Sequence, residues 1–319
     1  MQTRYSKLSS EELSKRAEAL KALYKNCVIC PWDCRIDRTK GKLGVCKGTD
    51  LARVSSCAPH FGEEPMISGT KGSGTIFFSY CNLKCTFCQN YQISQEGLGS
   101  EVPDEKLAGM MLELQEKGCH NINLVSPTHF TPNIVSALAA AKEKGLSIPI
   151  VYNTNGYEKA ETLEMLDGLI DIYLPDIKYS SNDVAIRLSD APKYVEYNRD
   201  ALKEMYRQVG DLIMDDDGIA TSGMLVRHLV LPNDLAGSQR SLKFLANEIS
   251  KDLHVAIMAQ YKPCYKALDD AQLNRKLTEN EYKRVLRIAK EAGLHNILAQ
   301  ELSSSDIYLP DFKRTHPFK

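Results

Sequence analysis

The sequence lacks an excess of charge of either sign: 40 lysines and arginines face 41 aspartates and glutamates, a formal net charge of −1. Without a basic surplus there is no electrostatic footprint for nucleic acid, so a nucleic-acid partner is not expected. It also lacks any uninterrupted apolar run long enough to span a bilayer, so no membrane partner is expected either. The opening residues, MQTRYSKLSSEELSKR, are polar and helix-starting rather than leader-like, and a cytoplasmic location is expected. What remains is an ordinary globular composition, 43% hydrophobic and 25% charged over 319 residues, enough for one large α/β domain or two smaller ones. Cysteine is the exception to this plainness. There are 10, and those from Cys27 to Cys88 crowd the first third of the chain. In a reducing compartment such clusters are read first as metal ligands. Cys119 and Cys264 stand apart and read as small buried apolar side chains.

Ser9-Ser10-Glu11-Glu12 has the form of a capping box, opening a helix whose apolar side is Leu13, Ala17, Leu20, Leu23 and Tyr24. A cysteine-rich stretch over 27–57 follows, then a glycine-rich approach to the strand TIFFSY. From there short apolar strands (NINLV, IPIVY, LIDIYL, MLVRHLVL, HVAIM) alternate with amphipathic stretches near 104–117, 132–144, 158–167, 198–209, 238–250 and 279–292. Strands separated by helices imply parallel pairing with helices covering the sheet. Six strand–helix units fit a partial (β/α)6 TIM-like barrel or a doubly wound sheet, with an N-terminal cysteine-rich extension. The expected division is a helix and metal-binding segment over 1–73, a barrel over 74–300 and a tail over 301–319. DIYLPDIK at 171–178 returns as DIYLPDFK at 306–313. Two strand ends with similar packing needs explain the echo; a tail that covers part of the site is the alternative.

Cys81, Cys85 and Cys88 fall within FSYCNLKCTFCQN, directly after the first strand of the alternating series. Thiolates hold iron–sulfur clusters, and three protein ligands leave one iron open to a substrate or cofactor. The loop also follows a strand C-terminus, where parallel α/β folds place their sites. A zinc knuckle with a distant ligand and a set of reduced structural thiols are the competing readings. Upstream, Cys27, Cys30, Cys34 and Cys46 supply four thiolates, enough for a closed site holding a second 4Fe-4S cluster or a structural zinc, with Cys57 as a substitute ligand.

The motif Cys81-x-x-x-Cys85-x-x-Cys88 resembles the signature of the radical S-adenosylmethionine (radical SAM) superfamily. The surrounding GSGTIFFSYCNLKCTFCQNYQIS, with NINLVSPTHFTP, IPIVYNTNGYE, DIYLPDIKY and RHLVLP, is similar to its branch of pyruvate formate-lyase activating enzymes. The resemblance implies a 4Fe-4S cluster on the three cysteines and S-adenosylmethionine on the open iron. One electron, delivered by a donor such as flavodoxin or ferredoxin, would cleave the sulfonium to methionine and a 5′-deoxyadenosyl radical that abstracts hydrogen from a substrate. A glycyl-radical enzyme is one such partner; a small molecule or peptide is the alternative. A non-catalytic iron–sulfur or zinc protein is the reading from another class.

The resemblance also carries a cofactor-binding set. Phe87 sits within the loop. Ser126 and Thr128 stand where the family has a glutamate-bearing turn, a departure that leaves the methionine amine to neutral acceptors. Asn153, Thr154 and Asn155 match an Asp-Thr-Asn run, with Asn153 replacing one acid and putting a monovalent-cation site in doubt. Asp176 and Lys178 match an Asp-x-Lys pair; an exposed ion pair is the plain alternative for Lys178. Arg227 matches a cofactor-contacting arginine, while His228 should point away from it. Gln260 and Tyr261 are secondary candidates. His60, Glu63 and Glu64 read equally as a metal or acid–base group and as a solvated turn.

Overall fold

The structure is a computed structural model that describes residues 2–306, 309–314 and 317–318. Its strands are β1 (Ala52–His60), β2 (Ser73–Phe78), β3 (Ser100–Val102), β4 (Ile122–Val125), β5 (Ile150–Thr154), β6 (Ile172–Pro175), β7 (Ile213–Met214), β8 (Ala220–Leu229), β9 (His254–Met258) and β10 (Asn296–Ala299). They form one sheet in the order β10-β9-β8-β6-β5-β4-β2-β1-β3, with β7 paired to β8 off that path. From β2 through β10 every neighbour on the path is parallel, whereas β1 runs antiparallel to β2 and β3 antiparallel to β1. The two edges do not meet, so the architecture is a mixed α/β fold with a largely parallel, unclosed sheet: a partial TIM-like barrel.

The six expected strands are present, and β10 adds a seventh to the parallel series. Its four residues, NILA, are only partly buried, too short and too exposed to announce a strand. β1 also escaped the sequence pattern because its residues alternate weakly and carry Cys57 and Pro59. Since β1 pairs with β2, the sheet extends across residue 73 rather than starting there.

Helices Ser10–Ala22 and Glu279–Glu291 form where the sequence supplies both a side-chain cap and an apolar stripe. Ser9 accepts a hydrogen bond from the Glu12 amide at 3.1 Å, and Leu13, Ala17 and Leu20 are buried where helix Ser10–Ala22 packs on helix Thr131–Glu143. The chain start is tied to the strands' N-terminal ends: the Arg4 amide donates to Asp171 Oδ1 at 2.6 Å and Tyr5 Oη to the Ile148 carbonyl at 2.9 Å. That leaves the opposite end, the C-terminal ends of the parallel strands, for chemistry. A second apolar cluster sits there, built from Phe87, Tyr157, Tyr179, Tyr194 and Tyr261 around Cys81 and Cys85. The tail reaches the same end: Phe312 is buried on Phe77 and Ile93, and Asp311 accepts from Gln92 Nε2 at 3.0 Å. Of the repeated 306–313 segment, Ile307 and Tyr308 lie outside the described residues. Among the described residues, no helix is long and apolar enough to cross a membrane.

Candidate active site

The chain leaves β2 through Tyr80, in the left-handed region at φ 66°, and turns into the cysteine loop. Cys81, Cys85 and Cys88 all line one cavity of ≈ 450 Å³ at the strand C-termini. Each sulfur faces a donor. Asn155 Nδ2 donates to Cys81 Sγ at 3.3 Å and the Leu83 amide at 3.4 Å; Ser189 Oγ donates to Cys85 Sγ at 2.9 Å; Cys88 Sγ and Ser94 Oγ are 3.1 Å apart. Burial pushes all three thiols up to about 11, and each is raised further by one of the others. A cation cluster is what would convert them to ligating thiolates.

Among the described residues, no three His, Cys, Asp or Glu side chains converge closely enough for a single metal ion. The three sulfurs nevertheless share one cavity and feel one another electrostatically. That is the arrangement for a cluster, whose corners stand farther apart than the ligands of one ion. With donors aimed at the sulfurs and three cysteines, but not a fourth, among the described residues that line the cavity, the residues fit an iron–sulfur cluster with one open position.

The remaining wall is assembled from the ends of successive strands. Ser126, at φ 57° after β4, lines the cavity and donates its amide to the Asn153 carbonyl at 2.9 Å. Asn153, Thr154 and Asn155 line it from the end of β5, and Phe87 packs edge-on to Tyr261 with ring centroids 6.0 Å apart. Gly156 follows at φ 75°, and a Cβ there would sit 2.3 Å from the Asp176 carbonyl oxygen, so glycine is required. Lys178 Nζ lies 2.5 Å from Asp176 Oδ2 with both side chains largely buried, which removes the exposed-pair alternative. Burial opposes the lysine's charge, but Asp176 and then the Cys85 sulfur more than offset it, holding the ammonium well above its ordinary value.

Thr128 is placed differently from its neighbours in sequence: it is buried and does not line the cavity. Its hydroxyl donates to Glu158 Oε1 at 2.6 Å, and Thr154 Oγ1 donates to the same oxygen at 2.5 Å. A glutamate therefore does stand behind the turn, supplied from the segment after β5. Burial lifts the Glu158 carboxyl to about 7, and its Oε2 has no partner. Sequence reading missed it because nothing local marks it, and the Thr128 departure pointed only to neutral acceptors.

HFGEEP is not a solvated turn. Arg227 on β8 pairs with both Glu63 and Glu64, its Nε donating to Glu64 Oε1 at 2.8 Å, and all three side chains are nearly buried. Burial would raise the Glu63 carboxyl, but Arg227 holds it below the usual range. Arg227 also reaches Asn153 Oδ1 at 3.4 Å. His228, as expected from strand alternation, points the other way and is buried between the Ile177 carbonyl at 2.7 Å and Ser238 Oγ at 2.9 Å. His60 lines the cavity beside Phe318 of the tail, ring centroids 4.2 Å apart. Gln260 lines it too, held by Gln300 Nε2 at 2.8 Å and joined to Gln89, two residues with no sequence signal.

Cys27, Cys30 and Cys46 are buried and Cys34 is partly so, all as free thiols. Cys57 is not among them: it lies on β1 beside Glu113 and Cys119, which corrects its reading as a substitute ligand.

Residues 75–214 match the family model described as the radical SAM superfamily. An uncharacterized protein of Methanocaldococcus jannaschii is 31% identical over 289 residues, covering 88% of this chain and 79% of that protein. Among solved structures, Streptococcus suis SuiB bound to S-adenosylmethionine superposes with a TM-score of 0.50 at 14% identity, covering 71% of this chain and 50% of SuiB. Methylornithine synthase (PylB) superposes at 0.47 and 17% identity, covering 97% of this chain and 81% of that one. The chain thus spans half the length of SuiB, and at 14% identity the similarity to SuiB shows a shared fold alone.

Proposed function

The chain belongs to the radical SAM superfamily, and we propose that it is an iron–sulfur enzyme that abstracts hydrogen from a substrate, acting as a glycyl-radical-enzyme activase. The observation that carries this reading is the set of three buried thiols, each facing a hydrogen-bond donor, on one cavity wall at the strand C-termini. When bound, the cluster and S-adenosylmethionine supply a 5′-deoxyadenosyl radical upon one-electron reduction by a flavodoxin- or ferredoxin-like donor. The chain's own residues hold, orient and shield. Asn155, Ser189 and Ser94 fix the sulfurs. Asn153, Thr154 and Ser126 offer short polar groups, suited to an amine, a carboxylate or a ribose, from a rigid strand edge. Lys178, locked to Asp176, places a fixed positive charge beside Cys85. Arg227 is held by Glu63 and Glu64 and reaches Asn153 Oδ1, so it braces the wall and steadies Asn153 on the cavity.

A second reading, a radical enzyme acting on a small molecule or short peptide, is favoured by Pro310 and Phe318, with which the tail narrows the cavity. A second centre on Cys27, Cys30, Cys34 and Cys46, iron–sulfur or zinc, belongs to the same proposal. Anaerobically reconstituted protein given dithionite and S-adenosylmethionine should release 5′-deoxyadenosine, and Cys85→Ala should abolish this with loss of about four irons per chain. An intact cluster with no 5′-deoxyadenosine would refute the enzyme reading. A glycyl radical seen by electron paramagnetic resonance in a co-incubated partner separates the activase from the second reading.

A further inference from the structure

Among the described residues, the largest fully buried side chain is a cation without an acid. Arg38 is 0% exposed, and no Asp or Glu pairs with it among the described residues. Its guanidinium donates from Nε to the Thr49 carbonyl at 2.9 Å and from Nη1 to the His129 carbonyl at 2.7 Å, and lies 4.2 Å above the Tyr24 ring. Tyr24 packs in one buried cluster with Cys27, and Gly48, two residues past Cys46, lies against the guanidinium; the Tyr24 hydroxyl and then the Cys46 and Cys27 sulfurs are the groups that favour its charge. Gly48 makes the room, since a Cβ there would stand 2.7 Å from Arg38 Nη2.

A buried guanidinium with only carbonyls and an aromatic face for company is expensive, and neutral thiols do not offset it. A tetrathiolate metal centre does, because its thiolates outnumber the charges of the metal core. The local chain is built for such a centre. The Trp32 amide favours the Cys30 thiolate and the Gly48 amide that of Cys46, each two residues on from its sulfur, as Leu83 is from Cys81. Lys47, between Cys46 and Gly48, takes up φ 59°. The spacing of two then three residues across Cys27, Cys30 and Cys34 inverts that of the catalytic loop. Burial and then the Cys46, Cys27 and Cys34 sulfurs raise the Cys30 thiol, so four sulfurs lie within reach of one centre, as a four-thiolate cluster requires.

The two cysteine groups are also neighbours. Trp32 Nε1 donates to the Asn82 carbonyl at 2.6 Å, and its ring lies 6.4 Å edge-on from Tyr157, which is itself close to Cys30.

We propose that Cys27, Cys30, Cys34 and Cys46 hold an anionic iron–sulfur cluster and that Arg38 is the buried counter-charge that tunes its reduction potential. The inference rests on the second centre named above and not on radical chemistry, so its test removes the catalytic loop. In full-length protein carrying Cys81→Ser, Cys85→Ser and Cys88→Ser, anaerobic reconstitution with ferrous iron and sulfide should leave about four irons and four sulfides per chain. Emission of Trp32, the chain's one tryptophan, should be quenched, because an iron–sulfur cluster absorbs where tryptophan emits and zinc does not. Zinc in place of iron, or no metal, overturns the assignment. In the same background, one-electron reduction adds a negative charge that Arg38 stabilises. Arg38→Gln should therefore lower the reduction equilibrium constant at least tenfold, about 59 mV for a one-electron couple, while Arg38→Lys recovers part of it. If Arg38→Gln does not fold, Gly48→Ala, which displaces the guanidinium and keeps every cysteine, takes its place. An unchanged potential overturns the role of Arg38.

Discussion

Glu158 offers the sharpest test of the site's construction, because its carboxyl is buried, held by two threonines and left with one oxygen unpartnered. Burial raises it from 4.5 to about 7. Between those values the folded protein binds a proton that the unfolded chain does not, so stability falls as pH rises, by about 1.4 kcal/mol per unit at most. Stability associated with Glu158 is thus fully present below 4.5 and lost as pH passes through about 7, a total of about 3 kcal/mol. Other buried groups titrate nearby. Asp171, lifted by burial to about 6, acts in the same direction at lower pH; His129, lowered by burial to about 3, acts in the opposite one, adding stability as pH rises towards 6.5. The measurement must therefore be a difference. Urea denaturation of the wild type and Glu158→Gln at half-unit steps from pH 4 to 8.5 isolates the carboxyl. Their stability difference should shift by about 3 kcal/mol in favour of the variant across that range, with the steepest change between 5 and 7. Two parallel pH profiles would refute the reasoning, for they would mean that the Glu158 carboxyl titrates alike in the folded and unfolded protein.

Arg227→Leu strands Glu63 and Glu64 as buried, unpaired carboxylates and should destabilise by about 3–5 kcal/mol in chemical denaturation; adding Glu63→Gln and Glu64→Gln should restore much of that. Gly156→Ala should lose at least about 2 kcal/mol, since the left-handed backbone and the Asp176 carbonyl both reject a Cβ. Phe312→Ala removes the ring packed on Phe77 at 5.4 Å and should raise the rate of trypsin cleavage at Lys313 by up to about 100-fold with little change in global stability.

Local pattern was enough for much of this protein. A three-then-two cysteine spacing after an apolar strand marked the loop, and apolar strands separated by amphipathic stretches implied the parallel sheet, because burial on both faces writes itself into a run of Val, Ile and Leu. Ser9 and Glu12 marked the first helix for the same reason: caps and stripes are short-range requirements. What the pattern did not carry was anything decided by which strand ends meet. Glu63 and Glu64 read equally as a metal or acid–base group and as a solvated turn until β8 brought Arg227 onto them from 163 or more residues away. Glu158 had no signal of its own, and it became the carboxyl behind Thr128 only once β4 and β5 lay side by side. Arg38 was one arginine among many charged residues until folding enclosed it with sulfur and no acid. The ligand spacing belongs to the chain; the desolvation and long-range pairing that tune each charge arise only when the sheet places distant segments around one cavity.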